Sequence, residues 1–472
     1  MSVVRRICVP MSASFHAIIG RYGRPFWALC LFITLVFLLG GGSRANIESL
    51  VILRPVSAIM FGYGLWGLLA GRTERAPFLL ALSLATVIIS IAQLIPLPPV
   101  LWTVLPGRNL LLQIDRAAAL GDVWRPLSLL PSATWNSLYA LMAPIGVLLI
   151  GLRLNRHERS ALLLLLIGLG SLSAVVAVFQ IAGPVTGPFY LYRYTNYGSA
   201  VGLFANRNHQ ALLLACMVPM LAAWTARDHG VIADLRLRAA IAISIGVFLI
   251  PLILVTGSRA GLVALVMGLS SIPFLCTRNV PNGQDSPRLR SGFWMVAVPL
   301  LGFALVALTV MLGRADAIDR LLEQHMETDA RIATLAPLIS MVLTYFPAGS
   351  GFGSFPAVFL VAEPEQLLSL KTFGHAHNDL IELAITGGLP ALLLLLTALV
   401  GFAHLVRQWF GTRMLAGDTH RLAGSGIWIV AMVLLASLVD YPLRVPSLAC
   451  LAVVAILWAR PGNYEAPGQK EL

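Results

Sequence analysis

Long apolar runs recur along the whole chain of 472 residues, and they restrict the folds open to it. Hydrophobic residues make up 58% of the chain and charged residues only 11%. A helix of about 20 apolar residues crosses the hydrocarbon core of a bilayer. In lipid every backbone polar group must pair within the protein, and these runs are too continuous for the alternating strands of a barrel. The sequence therefore predicts an all-α, polytopic membrane protein.

The positions of the runs predict twelve membrane-spanning helices. They fall at about residues 25–42, 47–70, 77–95, 134–152, 160–182, 208–225, 239–256, 259–276, 292–312, 388–406, 424–441 and 445–460. Four arginines, at positions 5, 6, 21 and 24, precede the first span. The positive-inside rule then places the N-terminus in the cytoplasm, and an even number of spans returns the C-terminus there. We expect the first span to be retained, because no small-x-small cleavage site follows it.

The remaining basic residues agree with this orientation, since every predicted cytoplasmic loop carries at least two of them. The formal net charge of +12 is therefore largely an orientation signal. Because the basic residues are spread over many loops instead of forming one patch, we expect no nucleic-acid partner. We predict a single integral membrane domain over residues 1–472, in contact with membrane lipids.

A second set of arginines lies at or beyond the opposite, outer membrane face, where the rule predicts few. Its members are Arg44, Arg54, Arg193, Arg207, Arg259 and Arg444. A guanidinium near the end of a span costs free energy unless an anion compensates it. Snorkelling to lipid phosphates would explain any one of them. For the set we favour a shared anionic ligand, because the planar guanidinium binds phosphate through two hydrogen bonds.

One outer loop, about residues 313–387, is large enough to form a sizeable periplasmic segment. Its first part, about 314–338, alternates apolar and acidic residues in a way that indicates an amphipathic helix on the membrane surface. A glycine-rich run, Ala348–Phe355, follows. It is either a plain linker or a turn whose backbone N–H groups approach an anion.

The same loop ends in a polar turn with two histidines, Phe373-Gly-His-Ala-His-Asn-Asp. Asn378 is the expected N-cap of a short helix over residues 379–386. The positive end of that helix disfavours a protonated imidazole at His377, which suits a general base. Two alternatives are solvated loop histidines and half of a metal site formed with His375. We expect no metal, because His325 is the one further Cys or His in the outer loops and a metal site needs more ligands than that.

Several spaced motifs resemble the O-antigen ligase and O-antigen polymerase superfamily. They are Gly202-Leu-Phe-Ala-Asn-Arg-Asn-His, Thr256-Gly-Ser-Arg-Ala-Gly, Gly349-Ser-Gly-Phe-Gly-Ser-Phe, His377-Asn-Asp-Leu-Ile-Glu and Ser437-Leu-Val-Asp-Tyr-Pro-Leu. Members of this superfamily are bacterial inner-membrane glycosyltransferases with a GT-C-like fold. The resemblance implies transfer of a glycan from undecaprenyl diphosphate to a sugar hydroxyl at the periplasmic face, without cofactor or metal. The acceptor is the lipid A core in ligases and another lipid-linked glycan in polymerases, and these motifs do not separate the two.

The resemblance also implies roles for individual residues. Arg259 would bind the donor diphosphate together with Arg207 or Arg193, and the motif position favours Arg207. His377 would be the general base, with His375 leaving that assignment open, and Asp440 would orient the base or bind acceptor sugar. The predicted substrate-binding residues are Arg193, His375, Asn378, Asp440 and Arg444.

A transporter or flippase of lipid-linked glycan is the rival function. Transporters usually show repeat symmetry and ionisable residues in the middle of spans. The charged candidates here crowd one membrane face, so the sequence favours an enzyme over a transporter.

Overall fold

The computed structural model describes residues 22–227, 232, 234–276, 334–365, 368, 373–412 and 417–460. Its helices are α1 (Arg24–Leu39), α2 (Leu50–Leu69), α3 (Pro77–Ala92), α4 (Pro99–Trp102), α5 (Asn109–Ala117), α6 (Pro131–Ala140), α7 (Met142–Gly151), α8 (Arg156–Ala182), α9 (Arg207–Thr225), α10 (Leu235–Val255), α11 (Arg259–Cys276), α12 (Thr334–Tyr345), α13 (Phe355–Ala362), α14 (Asp379–Gly411), α15 (Asp418–Ala436) and α16 (Pro446–Ala459). A short antiparallel ribbon pairs Pro96–Leu97 with Arg125–Pro126. The chain is thus mainly helical, as predicted.

Seven of these helices or helix pairs are long and apolar enough to cross a membrane: α2, α6 with α7, α8, α10, α11, α14 and α15. Three further predicted spans correspond to the shorter apolar helices α1, α3 and α16. The predicted span at 208–225 coincides with α9, which is helical but is not among the seven. The predicted span at 292–312 and most of the predicted amphipathic helix lie outside the described residues. The prediction of twelve spans therefore stays a prediction.

Side-chain caps mark several helix starts, as the local sequence requires. The Asn155 side chain accepts a hydrogen bond from the backbone N–H of Glu158. The Glu158 side chain in turn accepts one from the backbone N–H of Asn155. Asn206 and Asp234 cap α9 and α10, because their side-chain oxygens accept backbone N–H groups of the first helical turn. These caps satisfy backbone N–H groups that have no partner inside the helix.

Hydrogen bonds between helix ends show which termini lie together at each of the two ends of the bundle. At one, the basic end, Arg460 donates to the carbonyl of Arg75, and Arg421 donates to that of Ala226. Arg159 of this end also pairs with Glu74 at 2.8 Å. The basic end therefore collects arginines that the sequence assigns to the cytoplasmic side.

At the opposite end, which we call the histidine end, the end of α1 meets the start of α16. Here the N–H of Ser447 donates to the carbonyl of Gly40. The start of α14 reaches the end of α15, where the N–H of Asp379 donates to the carbonyl of Ser437 at 2.8 Å. Both histidines of the polar turn lie at this end.

Helices α9 and α11 run parallel and close together because small residues face each other. A side chain added at Gly261 would meet Ala211, and one added at Gly268 would meet the backbone of Ala215. Small residues of this kind allow helix backbones to approach closely within a membrane. Since every residue of α9 from His209 to Trp224 is buried, α9 lies inside the bundle. The N–H of Ala205, just before α9, donates to the carbonyl of Gly41 at the histidine end, so both helices begin there.

The glycine-rich run lies against the first helical segment of α14. The N–H groups of Ser350 and Gly351 donate to the carbonyls of Ile385 and Thr386, each at 2.9 Å. The N–H of Phe352 donates to the side chain of Gln93. The suggestion that these N–H groups approach an anion is therefore wrong, because the fold already uses them.

Arg108, just before α5, joins its own segment of the chain to this glycine-rich run. Its guanidinium is only 1% exposed and donates to the carbonyls of Leu127 and Gly349. Burial lowers the pKa of Arg108 to about 10, which still leaves it charged at neutral pH. No local sequence pattern predicts this role, because the contact with Gly349 joins segments more than 200 residues apart in the chain.

Candidate active site

The histidine turn has the local structure that its sequence predicts. The Asn378 side chain accepts a hydrogen bond from the N–H of Ile381, and the helix begins at Asp379. The amide of Asn378 also donates to the carbonyl of Leu438, which ties the turn to the segment after α15. His377 has a φ of +50°, a left-handed conformation that is uncommon outside glycine. The fold therefore maintains a strained backbone at the predicted base.

His377 faces a buried carboxylate. Its Nδ1 lies 3.4 Å from Oδ1 of Asp440, whose side chain is 3% exposed. Burial alone would raise the pKa of Asp440, but hydrogen bonding with the side chains of His377 and Asn208 helps to hold it below its usual value. Asp440 is therefore ionised at any working pH. Because Asp440 faces Nδ1, the other ring nitrogen, Nε2, is left to act on a substrate.

His375 has a carboxylate of its own. Its Nδ1 lies 3.2 Å from Oε1 of Glu382, and Oε2 of Glu382 accepts the N–H of Ala376 at 2.9 Å. Arg444 lies 3.1 Å from the same Glu382 and donates to Asp379 at 3.0 Å. These ion pairs join the first turn of α14 to the segment between α15 and α16. The histidine turn is thus held by Glu382, which is itself paired with Arg444.

Tyr441 lies between the histidines. Its ring centroid is 4.2 Å from that of His375, 5.1 Å from that of His377 and 5.2 Å from that of His209. The Tyr441 hydroxyl accepts a hydrogen bond from Asn206, the N-cap of α9, at 3.4 Å. The tyrosine therefore connects the histidine turn to the start of α9.

Arg207 and Arg259 are the first residues of α9 and α11. Because these helices are parallel, with Gly261 against Ala211, both arginines lie at the histidine end. The backbone N–H of Arg207 donates to Asn196, and Ser258 caps α11 by accepting the N–H of Gly261 at 3.0 Å. Two helix N-termini with their arginines thus lie at the end of the bundle that holds the histidine turn, and helix N-termini favour anions.

Arg193 lies elsewhere on the same end. It is exposed, and its guanidinium lies 5.7 Å from the ring of Tyr194, whose ring also has Arg44 at 4.6 Å. Its backbone carbonyl accepts the hydroxyl of Tyr197, so in the described part of the chain Arg193 contacts tyrosines of its own loop. Of the two alternatives for the second diphosphate ligand, Arg207 is therefore the one that the contacts bring to the histidine turn.

Four residues of this cluster were not assigned a role from the sequence: Asn206, His209, Glu382 and Tyr441. Each lies inside a motif of the resemblance, so the motifs contained a signal for them. Among them, Glu382 has His375 and Arg444 as partners. Within the described ranges no group of three or more His, Cys, Asp or Glu residues could hold a metal ion. The expected absence of a metal stays a prediction.

Comparison with known proteins agrees with the motifs. Residues 244–396 match the family model described as O-antigen ligase. The matched region contains Arg259 and the histidine turn, whereas Arg207 and Asp440 lie outside it. No curated protein matches the chain significantly. The match confirms the predicted resemblance, and over residues 244–396 the chain is similar to the O-antigen ligase family.

Proposed function

We propose that this protein transfers a glycan from undecaprenyl diphosphate to a sugar hydroxyl at the periplasmic face of the bacterial inner membrane. One observation carries the proposal: His377, paired with the ionised Asp440, lies at the same end of the bundle as Arg207 and Arg259. A base beside fixed cations is what transfer from a diphosphate requires. The acceptor is the lipid A core or another lipid-linked glycan.

His377 removes the proton from the acceptor. With Nδ1 directed at Asp440, Nε2 takes the hydroxyl proton as the oxygen attacks the anomeric carbon of the donor. The bond from that carbon to the diphosphate oxygen breaks, and its electrons leave with the diphosphate. A single in-line displacement of this kind inverts the anomeric centre.

Arg207 and Arg259 receive the charge that develops on the leaving diphosphate. Arg259 is exposed, so its guanidinium is accessible to a ligand, and the N-terminus of α11 adds a positive partial charge. Guanidinium groups and helix N-termini supply this charge from fixed positions, which supports transfer without a metal ion. We therefore propose a metal-independent reaction.

The other predicted substrate-binding residues divide into two groups. Asn378 and Arg444 already have protein partners, Leu438 for the former and Asp379 with Glu382 for the latter. We propose that both position the turn, with Arg444 holding His375 through Glu382. Arg193 remains a candidate for binding glycan or lipid phosphate at the rim.

The test uses purified protein, a lipid-diphosphate-linked glycan and each acceptor class in turn. His377→Ala should lower turnover by about 10²–10⁴-fold, the usual worth of a general base, with little change in donor affinity. His375→Ala should cost less, and EDTA should imitate neither variant. The acceptor that is glycosylated decides between ligase and polymerase.

Other results would contradict parts of the proposal. Normal turnover in His377→Ala ends its role as base, and loss of donor binding makes it a phosphate ligand. Equal losses at both histidines together with EDTA sensitivity indicate a metal site. Movement of the donor across vesicle membranes without any transfer favours the transporter.

A further inference from the structure

A buried histidine with no assigned role lies behind the proposed base. His209 is the third residue of α9 and is 2% exposed. Neither of its ring nitrogens has a hydrogen-bond partner among the described residues. Buried polar atoms without partners are rare in folded proteins, and each one calls for a physical explanation.

The position of His209 supplies that explanation. Its Nε2 lies 3.7 Å from Oδ2 of Asp440, while Nδ1 of His377 lies 3.4 Å from Oδ1 of the same carboxylate. Both oxygens of Asp440 and Nδ1 of His377 are also buried without a fully formed hydrogen bond. The carboxylate therefore has one imidazole on each oxygen.

Packing alone does not require a histidine at this position. The His209 ring meets the rings of Phe204 and Tyr441 edge-on, with centroids at 6.3 Å and 5.2 Å. An apolar side chain of similar size would make the same contacts without burying two unpaired nitrogens. What a histidine adds to such a side chain is a nitrogen, Nε2, at 3.7 Å from Oδ2 of Asp440.

We propose that His209 is a positioning residue that fixes the carboxylate of Asp440 for His377. A carboxylate can turn about its Cβ–Cγ bond, so one contact leaves its second oxygen free to move. An N–H from His209 Nε2 to Oδ2, made directly after a small closure or through one water, stops that rotation and directs Oδ1 at His377. The inference deepens the proposed function and rests on His377 being the base.

The test compares two replacements of His209 that differ in hydrogen-bonding ability. His209→Gln keeps an amide N–H close to the position of Nε2, whereas His209→Leu keeps only bulk. We expect His209→Leu to lower kcat by about 10–100-fold, as is typical for residues that orient an active group, with KM for the donor little changed. His209→Gln should recover most of that loss.

Coupling to Asp440 gives a second and independent measurement. Asp440→Asn removes the carboxylate that His209 positions, so adding His209→Leu to it should lower kcat little further. His420→Gln is the matched control, because His420 is a buried histidine at the basic end, stacked on Trp409. The control can lower the melting temperature in detergent but should leave turnover per folded protein unchanged.

Three results would overturn the inference. They are full activity in His209→Leu, equal losses in the folded glutamine and leucine variants, and full additivity of His209→Leu with Asp440→Asn. His377→Ala, measured alongside, separates the two claims. If His377→Ala is active the proposed function fails, whereas an inactive His377→Ala beside an active His209→Leu overturns only the role of His209.

Discussion

At the scale of single residues, two kinds of cation occur at the histidine end. Arg444 is held by Asp379 and Glu382, so its charge is already compensated within the protein. Arg259 is exposed at the first turn of α11. An exposed cation that binds a substrate directly should show a strong dependence on side-chain geometry, whereas a buried cation in a protein ion pair acts mainly through the fold.

This contrast leads to a prediction for Arg259. Arg259→Ala should abolish transfer while leaving expression and melting temperature intact, because the side chain is exposed. Arg259→Lys should recover little activity, since one ammonium cannot reproduce the two parallel hydrogen bonds of a guanidinium to phosphate. Initial rates and donor binding of purified variants measure both effects.

The matched control for Arg259 is Arg236→Ala, an exposed arginine in the first turn of α10 at the opposite end of the bundle. It should retain normal transfer. Full activity in Arg259→Lys would refute two-point binding of the diphosphate, and equal losses in Arg236→Ala would point to a general effect of surface charge.

At the scale of elements, the sequence predicted what depends on neighbouring residues. The Asn378 cap and the helix that starts at Asp379 were correct, because both follow from interactions within a few residues. The contact of His377 with Asp440 was implied only by the resemblance, as one of two roles for Asp440, and the contact of Glu382 with Arg444 was not predicted. Asp440 and Arg444 lie about 60 residues further along the chain, and no local pattern specifies which loops meet.

The junction between the two segments of α14 also depends on a distant contact. Gly388 has φ +60° and ψ −154°, a region open almost only to glycine, and it changes the direction of the helix. The following N–H, of Leu389, donates to the carbonyl of Pro347 at 2.9 Å. The sequence placed a helix end near Gly387 and Gly388 but could not show that the glycine-rich run packs there.

We predict that Gly388→Ala destabilises this junction. The new Cβ would lie 2.2 Å from the carbonyl oxygen of Pro347, and the backbone conformation itself costs alanine about 1–3 kcal/mol. The histidine turn precedes this junction by one short helix, so transfer should fall together with the melting temperature in detergent. Thermal unfolding and initial rates on the same sample measure the two effects.

Gly411→Ala, at the far end of α14, is the control for that substitution. Nothing lies within 4 Å of the Cβ it would add, and alanine favours a helix more than glycine does. It should melt at or slightly above the wild-type temperature. If Gly388→Ala behaves like Gly411→Ala, the left-handed junction is not needed for the fold.

At the scale of the whole molecule, the ionisable groups are sorted between the two ends. Arg159, Arg421 and Arg460 meet backbone or acidic partners at the basic end, while His209, His377 and Asp440 gather at the other. With this arrangement, the histidine end can carry out chemistry at one membrane face. The arginines of the basic end can set the orientation of the protein in the membrane. The contacts fix which groups share an end, and the positive-inside rule predicts which end faces the cytoplasm.

That orientation gives the last prediction. A reporter fused near residue 360, in the large loop, should behave as periplasmic, so alkaline phosphatase is active there and green fluorescent protein is dark. A reporter near residue 283 should show the reverse, because arginines flank that predicted cytoplasmic loop. The opposite pattern would place His377 and Arg259 on the cytoplasmic side, away from a glycan displayed to the periplasm, and would leave the proposed transfer without its donor.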